Sequence, residues 1–226
     1  MTTIISKEEL YRLNISFTVA FIILLTILFF ILIQIFKNED YKINNILSLE
    51  CAVLFIASFF YYKFIKETSL ENINNFDYKK IINYRYIDWS LTTPILLLAL
   101  LLFIQYFNNK LVNFWNYLVV FILNYVMLYF GYLGENKKID KMIALFIGFI
   151  AFIIMFLFIY FKFIINNKSS IINILFIVFI IIWGSYGLIY LLKDEPKNHW
   201  YNHQDIISKG LFSTFITFYF FKFFTF

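Results

Sequence analysis

The chain has 226 residues, 62% of them hydrophobic and only 15% charged, with a formal net charge of +5. This composition cannot give a soluble domain its polar surface, and at roughly 20 mainly apolar residues per bilayer crossing it allows about seven spans. The positive charge is spread over span ends and loops, which fits anchoring at a lipid interface rather than nucleic-acid binding, and a lone Cys51 excludes an internal disulfide or a cysteine metal cluster.

The opening segment MTTIISKEELYRLN carries both charge signs and leads into an apolar run too long for a secretion signal, so no signal peptide is expected. Apolar runs between polar breaks predict spans over 13–36, 44–66, 83–107, 112–132, 141–165, 170–192 and 200–224. The breaks are short (KNEDYK, ETSLENINNFDYKKI, NNK, GENKKID, NNKSS and KDEPKNH), and none reads as a linker. The expectation is one all-α domain over 1–226, a seven-transmembrane-helix bundle.

The second span holds Glu50, with Ser48 and Asn45 nearby as polar company and Cys51 as a packing residue. Glu50 is either an interior acid, or a charge that sits at the interface or pairs with a loop lysine. The third span, RYIDWSLTTPILLLALL, places Arg85 one turn before Asp88. At 100° per residue Asp88 and Thr92 lie about 40° apart, while Trp89, Thr93 and Leu96 share a neighbouring face. Pro94 removes one helix hydrogen bond, a tolerated break in a membrane helix. The fourth span repeats Asn124, Met127 and Gly131 along one face, and the fifth offers Met155. In the sixth, WGSYGLIYLL sets Trp183, Tyr186 and Tyr190 on one face. For any single aromatic or methionine here, core packing is the competing reading.

The seventh span begins HQDIISK, with Asp205 and Lys209 four residues apart and Asn202 a turn earlier. His203 lies about 200° from Asp205 and faces away; with His199 it belongs to the mouth of the bundle. Asp194 and Glu195 read as solvated loop charges or as groups that release protons. No phosphate loop, metal cluster or hydrolytic triad is visible, so an enzyme is not expected.

A charge near a bilayer centre costs at least about 2.5–3.5 kcal/mol on insertion scales. Arg85, Asp88, Asp205 and Lys209 are therefore tolerable only if they face one another, and a buried Arg85–Asp88 pair alone leaves the other two unexplained. A lysine so placed serves either as an ion-pair partner or as an amine that forms a Schiff base with an aldehyde.

RYIDWSLTTP on the third span, together with DIISK on the seventh, resembles the microbial rhodopsins, and the resemblance covers the whole chain. It implies a bacteriorhodopsin-like fold with all-trans retinal bound covalently at Lys209 as a protonated Schiff base. Asp88 and Asp205 would be its counterions, with Thr92 beside them and Arg85 stabilising them from the extracellular side. A carboxylate partner keeps such a cation protonated in a low-dielectric pocket. Trp89 and Trp183 would sandwich the polyene, and Thr93, Leu96, Met127, Gly131, Met155, Tyr186 and Tyr190 would complete the wall. Leu96 stands where the family tunes colour, and leucine there implies green absorption.

Two positions depart from the family pattern. Gly187 stands where the sixth helix usually has proline, so a kink there is in doubt. Ala99 stands where many outward pumps carry the acid that reprotonates the Schiff base. Glu50 lies roughly 9 Å below the start of its span and Ala99 roughly 12 Å from the same surface. The depths agree, which makes Glu50 a relocated proton donor or a gate. A compact chain with an acid on the second helix, and an AT-rich coding pattern heavy in Phe, Tyr, Ile, Asn and Lys, resembles viral rhodopsins of large algal and protist viruses.

Three functions follow from the resemblance: light-driven outward proton transport with Asp88 as acceptor, a light-gated ion channel with Glu50 and Asn202 along its path, or a photosensor. No transducer or kinase segment accompanies the helices. The partners implied are the lipid bilayer, protons or small ions, and further copies of the chain in a trimer or pentamer. The resemblance places the N-terminus of this multi-pass membrane protein outside. Lysine counting opposes it, since the outer loops would then be the richer in lysine.

Overall fold

The computed structural model describes residues 5–108, 111–165 and 169–221. Its helices are α1 (Lys7–Lys37), α2 (Tyr41–Glu67), a 3-10 turn (Leu70–Asn75), α3 (Tyr78–Asn108), α4 (Phe114–Glu135), α5 (Lys141–Ile159), α6 (Ser170–Tyr190), α7 (Asp194–Asp205) and α8 (Phe212–Phe221). A π-helical turn, Tyr160–Ile164, extends α5, and a second, Ile206–Leu211, joins α7 to α8 with right-handed helical dihedrals on both sides. The described residues therefore make seven rods, the last of them α7, its π-turn and α8. Consecutive rods pack side by side and the seventh returns against α1, closing a ring.

Polar chemistry, rather than hydropathy, sets the helix starts, so several rods begin before the apolar runs. Ser6 and Glu9 form a reciprocal capping box on α1, at 2.9 and 3.1 Å. Asp40 caps α2, Asn113 caps α4 and Asp140 caps α5, each carboxylate or amide oxygen accepting from N–H groups of the first turn. The KDEPKNH break is a correction of kind: it forms the opening turns of α7, not a loop. Pro196 is tolerated there because first-turn N–H groups have no partner within the helix, and Asp194 and Glu195 complement the helix dipole. Residues 222–224 of the seventh expected span lie outside the described residues.

Among the described residues, six helices are long and apolar enough to cross a membrane. The seventh rod differs because its first half, DEPKNHWYNHQD, is polar and turns that polarity inward: Lys197, Asn198, Tyr201, Asn202, Gln204 and Asp205 are all buried. Rods one, three, five and seven begin on one face of the bundle, the N-terminal face, from which α1 starts at Lys7. Ion pairs stitch that face together, with Arg12 of α1 to Glu195 of α7 at 3.5 Å and Lys80 of α3 to Glu67 of α2 at 3.4 Å.

Pro94 inside α3 cannot donate to the carbonyl four residues earlier, that of Ser90. The Tyr125 hydroxyl of α4 takes its place at 2.7 Å, while Tyr117 donates to the Pro94 carbonyl at 3.0 Å. The π-turn in the seventh rod brings α1 close: a Cβ on Gly210 would meet Ile27 at 2.9 Å. This turn carries Lys209 into the centre of the bundle.

Candidate functional site

The four charges expected inside the spans converge. The Lys209 ammonium lies 2.6 Å from Asp88 Oδ2 and 3.5 Å from Asp205 Oδ2, with all three side chains buried. Arg85 reaches Asp205 Oδ2 at 3.5 Å, not Asp88, so the pairing within the third span gives way to one between helices. Its other terminal nitrogen donates to Asn202 Oδ1 at 2.9 Å and Asn198 Oδ1 at 3.2 Å. Asn202 in turn donates to Ser16 of α1 at 2.9 Å.

The two carboxylates have unequal surroundings. Asp205 accepts from the Tyr186 hydroxyl at 2.7 Å, the Tyr61 hydroxyl at 3.0 Å and the Trp89 indole N–H at 3.3 Å, besides its two cations. Asp88 has Lys209 on Oδ2 and no partner on Oδ1. Thr92 does not fill the gap, because its hydroxyl donates to the Asp88 backbone carbonyl at 2.9 Å. A proton arriving on Asp205 would disrupt several donors, whereas Asp88 has a bare oxygen ready for one.

A cavity opens beside Lys209, walled by α3, α4, α5 and α6. Trp89, Thr93, Leu96, Met127, Gly131, Trp183, Tyr186 and Tyr190 all line it. Met155 does not: it is fully buried in the apolar core. Asn124 turns aside as well, donating to the Thr93 hydroxyl at 2.8 Å. Residues not anticipated from the sequence complete the wall, notably Tyr86, Phe149, Phe152 and Tyr201. At Gly187 the Phe149 ring occupies the space a Cβ would need, so the glycine serves close ring approach. Gly184, facing Phe152 at 3.7 Å from its would-be Cβ, continues the same thin wall.

Glu50 is fully buried, which rules out the interface and the loop-lysine pairing. Its partner is neither Ser48 nor Asn45 but Ser213, one turn beyond Lys209. The Ser213 oxygen lies 2.5 Å from Glu50 Oε2 and 2.6 Å from the Lys209 carbonyl oxygen. A hydroxyl owns one proton, and neither a carbonyl nor a carboxylate can give another. The Ser213 hydroxyl thus stands between the Glu50 carboxyl and the Lys209 backbone, donating toward both.

Other polar groups fall away from this centre. His203 is exposed, and its ring centroid lies 6.0 Å from that of Trp200. Asp194 pairs with Lys197 at 2.9 Å and Glu195 with Arg12, so neither is a free loop charge. Lys197 also meets Glu135 of α4 at 2.7 Å, a buried pair apart from this centre that a loop reading of KDEPKNH gives no reason to expect.

Solved structures share this architecture. A crystal structure of the viral rhodopsin OLPVRII is 29% identical with a TM-score of 0.87, covering 95% of this chain and 100% of that one. A thermophilic rhodopsin is 18% identical with a TM-score of 0.79, over 96% of this chain and 95% of its own. The light-driven proton pump LR (Mac) from Leptosphaeria maculans is 15% identical with a TM-score of 0.74, over 93% of this chain and 96% of its own. The last two likenesses show the fold alone. Curated protein sequences gave no match. A family model described as bacteriorhodopsin-like protein matches residues 12–223, and the chain belongs to that family, the microbial rhodopsins.

Proposed function

We propose that this membrane protein is a light-driven outward proton transporter that holds all-trans retinal on Lys209. The residues fit that group. An apolar, largely aromatic cavity ends at a buried primary amine, glycines thin its wall, and two carboxylates stand ready to balance a cation on the amine nitrogen. Retinal on Lys209, as a protonated Schiff base, supplies the light absorption and the isomerisation.

The chain's own groups do the rest. Asp88, with its unpartnered Oδ1, accepts a proton from the Lys209 nitrogen. Asp205 remains a carboxylate, held by Tyr61, Tyr186 and Trp89. Loss of charge on Asp88 weakens the inward pull on Arg85, which leads toward Asn202, Asn198 and the N-terminal face. Glu50, on the other side of Lys209, holds the proton that restores the nitrogen, with Ser213 between them. With the N-terminus outside, the net movement is outward. The observation that carries this reading is the inequality of the two carboxylates around one amine, with a third, buried carboxyl behind it.

A light-gated channel is the second reading. It is favoured by a separate cavity on the opposite face, lined by Lys42, Asn45, Gln105 and Tyr106 and reaching Ile46, one turn before Glu50.

Whole-cell photocurrent across a series of voltages, with retinal supplied, decides between them. Outward current at every voltage is the expected result, and a current that reverses with the ion gradients would replace the pump by the channel. Lys209→Ala should lose the visible band and the current together; a retained band would refute the attachment site.

A further inference from the structure

Arg85 is held in an unusual way for a buried cation. Its single carboxylate contact, to Asp205, is long at 3.5 Å, and its Nε has no partner. A guanidinium offers five N–H donors, and the two asparagine oxygens and Asp205 occupy only part of that capacity. Aromatic faces take up the remainder. The guanidinium carbon lies 5.0 Å from the ring centroid of Phe64, 5.3 Å from Tyr201, 5.8 Å from Phe17 and 5.9 Å from Trp89. These rings come from four rods: α1, α2, α3 and α7.

The cage is itself braced. Phe17 and Phe64 stack at 4.9 Å, and Tyr61 meets Phe64 edge-on at 5.4 Å. Tyr201 meets Trp89 edge-on at 4.9 Å. Phe17, Tyr61 and Phe64 are fully buried, so the π faces act on the cation without competition from water.

We infer that Phe17 and Phe64 are positioning residues that hold the Arg85 guanidinium inward, beside Asp205, and so sustain the positive potential that keeps Asp88 ionised in the dark. Neither ring touches Asp88 or Lys209 in any hydrogen bond or ion pair; both act through Arg85. The inference rests on the reading of Asp88 as the ionised partner of the Lys209 nitrogen. The charged and titratable groups facing this region are Tyr61 from α2, Arg85 and Asp88 from α3, Tyr186 from α6, and Tyr201, Asp205 and Lys209 from the seventh rod, with the Glu135–Lys197 pair of α4 and α7 beyond Tyr201. From α1 come only Phe17 and Ser16. Among the described residues of that face, Lys197 is held by Glu135 and Asp194 and Arg12 by Glu195, whereas Arg85 meets Asp205, so slackening its cage lets it leave the carboxylates.

The test uses the full-length pigment in the dark, titrated with acid while the visible band is followed. Phe64 is replaced by phenylalanines carrying one, two and three ring fluorines, which keep the shape and weaken the π face stepwise. Phe64→Leu and Phe64→Tyr complete the set. The midpoint of the acid-induced band shift should climb with each fluorine, by about 0.5–1 pH unit in total. Phe64→Leu should move it at least as far, and Phe64→Tyr should stay near the parent. A midpoint indifferent to fluorine would overturn the inference, even if Phe64→Leu moved it, because packing alone would then be at work. The fluorinated series decides the matter should Phe64→Leu fail to form pigment. Asp88→Asn should abolish the transition; if it persists there with the parent midpoint, the reading of Asp88 is wrong, whatever the rings do.

Discussion

Asp88 and Asp205 are chemically identical and share one amine, yet their neighbours give them different work. Five donors converge on Asp205, from Tyr61, Arg85, Trp89, Tyr186 and Lys209, and moving any proton there breaks contacts already made. Asp88 meets Lys209 alone. Glu50 presents the complementary case, a fully buried carboxyl with no cation beside it, met on one oxygen by the Ser213 hydroxyl. On the transport reading, Glu50→Gln removes the acid that reprotonates Lys209. Recovery of the dark-state band should then slow by about a hundredfold or more, the usual reach of general acid catalysis. Added azide or lower pH should restore it, and a photocycle with parent kinetics would exclude Glu50 as donor. The four charges Arg85, Asp88, Asp205 and Lys209 were legible in the sequence because charge is costly in an apolar run and has to be neutralised nearby. Tyr61, Tyr201 and Ser213 were not. In a chain with 17 tyrosines and 32 phenylalanines, nothing in the residue types separates a counterion's hydrogen-bond donor from a packing ring. Which ring meets which carboxylate depends on how the helices rotate against one another.

At the scale of the element, α3 shows how a break is repaired. Pro94 leaves the Ser90 carbonyl without its helical donor, on a side where α4 and lipid are the neighbours, and the Tyr125 hydroxyl supplies the replacement at 2.7 Å. Tyr125 is 37% exposed, so its ring costs the core little when altered. Tyr125→Phe should lower the thermal midpoint by an amount corresponding to about 1 kcal/mol, typical of one interhelical hydrogen bond in a membrane. The visible band should keep its position, since Tyr125 does not line the cavity. An unchanged midpoint would show that the carbonyl finds another donor. Hydropathy set the starts of α5 and α6 where they fall, at 141 and 170, but α1 and α2 begin before their apolar runs because Ser6 and Asp40 start them by capping rather than by apolarity. The seventh rod was the hardest to delimit. Its first half is polar and its middle is a π-turn, so neither the apolar run nor a rotation of 100° per residue describes it across Ile206–Leu211.

The whole molecule is a vector. Along the bundle, the order from the N-terminal face is Asn198, Arg85, Asp205 with Asp88, Lys209, Ser213 and Glu50, and nothing in that series is symmetric about the amine. Direction of transport therefore follows from how the bundle sits in the membrane: with the N-terminus outside, Asp88 and Arg85 lead outward and Glu50 faces the interior. Lysine distribution pulls the other way, but several cations of the N-terminal face are neutralised in place, Lys197 by Glu135 and Asp194, Lys80 by Glu67, Arg12 by Glu195. Such pairing reduces the repulsion that would otherwise hinder their transfer across the bilayer. An epitope placed before Lys7 should thus be reached by antibody on intact cells, and light should acidify the medium around them. The two readouts separate the two premises. A hidden epitope with light-driven alkalinisation would keep the proton path and reverse the orientation. An accessible epitope with alkalinisation would keep the orientation and remove Asp88 from the role of outward acceptor.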